Sequence, residues 1–152
     1  RRIYNHLCAN VLLKDLSDKV ETYNIGLSDV NGKLPFYERQ PDGGTNGFTH
    51  IGWKEDISYE LPVLKMDEFD IKDISLIKID VEGHELEVIK GASETLKNND
   101  YPPILFESWE PVPDQPLIGD LRTELFNHLY EIGYAIEHTA HPEIFLAKKE
   151  KL

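Results

Sequence analysis

Four carboxylates stand where chemistry can be done: Asp80, Glu82 and Glu85 in Ile79-Asp80-Val81-Glu82-Gly83-His84-Glu85, and Glu107 closing Pro103-Ile104-Leu105-Phe106-Glu107. A carboxylate beside a substrate hydroxyl can take its proton as the oxygen attacks, which is general-base work. Both sets follow apolar runs, and in an open α/β sheet the loop leaving the carboxyl end of a strand is where ligands and catalytic groups collect. If the two runs are neighbouring strands, Asp80 and Glu107 face one crevice and can divide acid and base roles. Asp80 is the preferred base, with Glu82 and Glu107 as the further catalytic candidates. Glu85 falls in the first turn of a helix, where the dipole favours a carboxylate and free backbone N–H groups can bond it. A structural role there competes with substrate binding. Trp109 is a candidate pocket wall for substrate, against plain packing, and Gly83 permits the tight strand-to-helix turn.

His84 beside these acids raises the question of a metal. Its fellow ligands would come from one short turn, whereas hard-metal sites recruit oxygen ligands from separated positions. No metal is expected, and His84 reads as a solvent-facing residue at a helix start. The Gly43-Gly44-Thr45-Asn46 run either cradles substrate or only turns the chain.

The elements that must hold these groups follow from periodicity. Ile3, Leu7 and Val11, with Leu12 and Leu16 nearby, predict an amphipathic helix over 2–16. Val20 to Leu27 reads as a strand, Asn31-Gly32 as a turn folding Lys33 to Glu38 back, and 39–58 as a loop without period. Further strands are expected at 60–64, 75–80 and 104–107, with a short helical piece at 67–69. The continuous apolar run Leu76-Ile77-Lys78-Ile79 is of the kind buried on both faces of a parallel sheet. Helices are expected over 84–98 and 120–132, the second ended by Gly133, with closing strands at 134–138 and 144–148. The alternation of strand and helix predicts helices packed on a mostly parallel sheet. The last two strands are joined too closely for a helical crossover and must be antiparallel.

Composition narrows the partners. The chain has 152 residues, 40% of them hydrophobic, which suits one soluble domain. Its 28 acidic against 16 basic residues, a net charge of −12, argue against electrostatic binding to nucleic acid or an anionic membrane. No apolar run nears the ~20 residues that cross a bilayer, and no signal-peptide pattern opens the chain, so a cytoplasmic location is expected. The single cysteine, Cys8, forms no intrachain disulfide and reads as a small core residue.

The stretch Leu76 to Ala92, with its Ile-Asp-Val-Glu-Gly-x-Glu turn and a helix running into Gly91-Ala92, closely resembles the signature of the FkbM-type S-adenosylmethionine-dependent methyltransferases. Asn10 to Leu27 resembles the helix and third strand of that family, and Leu61 to Phe69 the segment before the signature. The resemblance implies a Rossmann-like α/β methyltransferase fold with helices on both faces of the sheet and an antiparallel C-terminal hairpin. It implies S-adenosylmethionine as cofactor and a hydroxyl of a small molecule or sugar as acceptor. Ser28 and Asp29 then occupy the adenine-contacting strand end, with Asp80 also on the cofactor side, although Asp29 can equally serve the turn at Asn31. The family has a glutamate where Glu107 stands. The residue after the signature glycine varies in the family, so the resemblance gives His84 no role.

One departure matters. The glycine-rich loop and the ribose-holding acid of the family belong to a strand-helix-strand unit of at least ~30 residues that would precede the first helix here. The expectation is therefore a single, N-terminally truncated domain over 1–152, with the strand ends at Ser28 and Asp80 roughly 14 Å apart, an exposed strand edge and weak cofactor binding. A non-catalytic interaction module retaining the fold is the alternative. A nucleotide-sugar or phosphate-handling protein would need a glycine loop at a helix N-terminus, and none is visible.

Overall fold

Apolar residues at four-residue spacing do form the first helix, α1 (Arg2–Leu13), in the computed structural model, which describes residues 2–38, 46–50, 57–111, 113 and 116–150. None of its residues is buried, and Leu12 and Leu13 are largely exposed. It is tied down by the Tyr4 hydroxyl, 3.3 Å from the Thr22 carbonyl oxygen it donates to, and by Cys8 Sγ, 3.6 Å from the Thr22 hydroxyl. The expected strand over 20–27 shrinks to β1 (Gly26–Leu27), because only those two residues find a ladder partner.

That partner is β3 (Ile57–Leu64), which also pairs antiparallel with β2 (Gly32–Glu38), giving the sheet order β1-β3-β2. The turn at Asn31 therefore does not make a hairpin of β1 and β2. It carries the chain across β3, and the Asn31 side chain accepts from Lys65 N at 2.9 Å and donates to Glu68 at 2.7 Å. The Gly43-Gly44-Thr45 part of the expected substrate cradle, and most of the 39–58 loop, lie outside the described residues.

A second sheet has the order β4-β5-β7-β6, from β4 (Ile77–Ile79), β5 (Ile104–Glu107), β6 (Tyr134–His138) and β7 (Ile144–Lys149). Here β4 and β5 are parallel, while β5·β7 and β6·β7 are antiparallel. The C-terminal hairpin is as expected. The single, mostly parallel sheet is not: the described strands form two mixed sheets, with parallel pairing confined to β1·β3 and β4·β5. Nor is the β4 segment covered on both faces, since Leu76 is 53% exposed.

The core lies over β5, where Phe106 stacks on Phe145 with centroids 5.7 Å apart and Phe126 meets both edge-on. Phe126 comes from α4 (Pro116–Glu131), with Leu125 and Leu129 buried beside it. The helix starts earlier than the apolar spacing predicts, at a proline whose fixed φ and missing N–H suit a first helical position. The long helix expected over 84–98 is two short ones, α2 (Glu85–Lys90) and α3 (Ser93–Asn98). At the break, a Cβ on Gly91 would collide with the Ser28 carbonyl. Asp67, in the 3-10 turn Met66–Phe69, caps α3 from outside by accepting from Thr95 N at 2.7 Å and Glu94 N at 3.2 Å. No helix among the described residues is long and apolar enough to cross a membrane.

Candidate functional site

The register Ile79↔Phe106 puts the carboxyl ends of β4 and β5 side by side, so Asp80 and Glu107 leave the sheet next to each other. The chain then turns through Glu82 and Gly83, both with positive φ (57° and 91°). A left-handed glutamate is strained, and such backbone persists where surrounding structure over-determines it, commonly at functional sites. The result brings oxygens of Asp80, Glu82 and Glu107 within 4.8 Å of one another. All three expected catalytic residues thus meet at one point.

The turn is held from three sides. Below, Glu85 is 5% exposed and its Oε1 accepts from Val81 N at 3.2 Å and Gly83 N at 3.3 Å. This is the anchoring role that competed with substrate contact in the sequence. On one flank the Trp109 ring lies so near Gly83 that a Cβ there would come within 3.2 Å of it. On the other, the Thr49 hydroxyl donates to the Gly83 carbonyl at 2.8 Å, and Gly47 packs on the Glu82 backbone. Residues 47–49 of the unpatterned loop are therefore part of the site's frame. Arg122, from α4, fixes the exit of β5 by donating to the carbonyl and hydroxyl oxygens of Ser108.

The charges differ in environment. Asp80 is paired with Lys78 at 2.5 Å. Burial, then the adjacent Asp80 carboxylate and its hydrogen bond, push the Glu107 carboxyl above the usual range. Burial likewise raises Glu85, opposed by the backbone N–H bonds it accepts and reinforced by Glu107. The space enclosed by Gly83, Glu85, Glu107, Trp109 and Arg122 is about 20 Å³. Ligand pockets run to hundreds of Å³, so any substrate contact of Trp109 lies outside that enclosure.

Ser28 and Asp29 end β1 on the far side of the turn. Ser28 is fully buried, with its N–H on the Leu64 carbonyl at 3.0 Å, and Asp29 is half-buried. Between them and the acids stands His84, which is not solvent-facing as the sequence suggests. It is 7% exposed, with Nε2 3.1 Å from the Ser28 hydroxyl and Nδ1 3.6 Å from Glu87. The turn's tightness aims it inward, a consequence no local pattern carries.

A family model described as the Methyltransferase FkbM domain matches residues 1–132. The fold is similar to that of methyltransferase FkbM from Methylobacillus flagellatus KT, with a TM-score of 0.53 at 14% identity over 95% of this chain. The match spans 32% of that solved chain. No curated protein matches.

Proposed function

The chain belongs to the FkbM methyltransferase family, and from that premise we propose that it is part of an S-adenosylmethionine-dependent O-methyltransferase acting on a hydroxyl of a small molecule or sugar. The observation that carries the reading is the meeting of Asp80, Glu82 and Glu107 at adjacent strand ends, with the Glu107 carboxyl raised toward the pH at which a base works best. S-adenosylmethionine, when bound, supplies a methyl group on a positively charged sulfur. As the acceptor oxygen takes up that methyl group it would have to give its hydroxyl proton to the protein. Glu107 takes that proton in place of Asp80, the base preferred from the sequence, because the Glu107 carboxyl is the one pushed upward by burial and by its neighbour. Asp80, held by Lys78, orients the acceptor and keeps the Glu107 carboxyl basic. Trp109 and the 47–49 segment fix the turn so that this geometry costs no reorganisation.

For the cofactor, Asp29 at the end of β1 fits a contact with ligand donor groups, and no glycine loop for its carboxylate end is visible in the sequence. A cavity of about 630 Å³ opens between Leu27 of β1 and Ile77 and Ile79 of β4, bordered by Met66, Val81 and Val88. Both strands are edges of their sheets among the described residues.

Calorimetric titration of S-adenosylmethionine into this chain and into one extended upstream tests the reading. Binding by the extended protein alone is the expected result. Binding by neither would reduce the acids to structural groups and favour a non-catalytic interaction module.

A further inference from the structure

Three contacts around His84 constrain where its protons sit. Nε2 is 3.1 Å from Ser28 Oγ, Ser28 Oγ is 3.2 Å from Asp29 Oδ1, and Nδ1 is 3.6 Å from Glu87 Oε2. A hydroxyl has one proton to give. If Nε2 is bare, Ser28 must donate to it, and the Ser28 oxygen then faces Asp29 with no proton between two acceptors. If Nε2 carries the proton, the imidazole donates to Ser28, Ser28 donates to Asp29, and each short contact holds one hydrogen. The Glu87 separation exceeds hydrogen-bond length, so on that side the ring has only the pull of a nearby charge, against the two hydrogen-bond contacts that run from Nε2.

We infer that His84 is a positioning residue: through Nε2–H it orders the Ser28 hydroxyl, and through that hydroxyl it aims the Asp29 carboxylate at the end of β1. The surroundings leave the imidazole as the controlling group. The Ser28 backbone is pinned, its N–H bonded to Leu64 and its carbonyl pressed against Gly91, which leaves only the hydroxyl to be turned. The Phe48 ring, 5.4 Å from the imidazole centroid, closes the remaining side. The acidic turn and the strand end across the site are thereby joined by a directed chain of two hydrogen bonds, so the side carrying Asp80, Glu82 and Glu107 also orients a group at the end of β1. The functional meaning rests on the reading of Asp29 given above; the proton chain itself does not.

The test is a long-range 15N–1H correlation of the imidazoles in the cofactor-free chain, at a pH where His84 is neutral, together with the Asp29 carboxyl 13C shift. A ring protonated on Nε2 is expected, and one protonated on Nδ1 overturns the inference. In His84→Gln an amide N–H can replace Nε2–H, so the Asp29 signal should stay near its wild-type position, while His84→Leu and Ser28→Ala should both move it. An Asp29 signal unmoved by His84→Leu also overturns the inference. If the leucine variant does not fold, the wild-type tautomer decides alone. Because no cofactor is present, these results are independent of the calorimetric titration.

Discussion

Glu85 is valuable for the protons it receives. Replacing it with alanine leaves the partly buried N–H groups of Val81 and Gly83 without their acceptor, which costs about 1 kcal/mol or more. Glu85→Gln keeps an acceptor and removes a desolvated charge, so urea unfolding should show the glutamine variant retaining most of the stability that the alanine variant loses. At Glu107 the prediction concerns acidity. Asp80→Asn removes the neighbouring negative charge, and the Glu107 carboxyl should titrate closer to the ordinary glutamate range by 13C NMR. An unchanged titration would mean that burial alone sets its value. The acids were legible in the sequence because each follows an apolar run that ends in a turn. His84 was not, since its partner Ser28 lies 56 positions away and no local pattern reports that approach.

At the scale of elements, the junction of α2 and α3 is where long-range packing overrules local preference. Alanine at position 91 would gain about 1 kcal/mol of helix propensity over glycine. Against this stands a collision between backbone on one side and a new Cβ on the other, and overpacking of that kind costs about 1–3 kcal/mol. The φ of Gly91 is −73°, so glycine is required there for its lack of a side chain and not for its backbone freedom. Gly91→Ala should therefore lower the melting temperature despite its better propensity, and a rise would show that Ser28 can retreat. Asp67→Ala should cost about 0.5–2 kcal/mol through loss of the α3 cap. Apolar spacing did locate α1, α4 and the closing hairpin, whose partners are near in sequence. It missed the α2–α3 break and overextended β1, because both depend on residues from another part of the chain.

Across the whole molecule, the buried Glu85 and His84 and the half-buried Glu107 make stability depend on pH in two senses. The folded chain holds the Glu85 and Glu107 protons more tightly than the unfolded chain does. Their contribution is complete below the unfolded value of 4.5 and is lost as the pH rises through the folded values. Burial lowers His84, with Glu87 and Asp29 opposing, so the unfolded chain takes that proton first and stability is lost as the pH falls below 6.5. His84→Gln should remove that acid-side loss in unfolding free energy measured against pH, and parallel profiles for the two proteins would refute it. The class of fold was legible because strands and helices alternate. The division into two mixed sheets was not, since which edges meet is decided by pairings between distant strands. The order β4-β5-β7-β6 has a further consequence for synthesis. The strand that joins β5 to β6 follows both of them in sequence, so a growing polypeptide carries β5 with one edge bare until Ile144–Lys149 emerges. Closure of this sheet thus waits on β7, and nascent chains arrested before Phe145 should remain open to protease across β5.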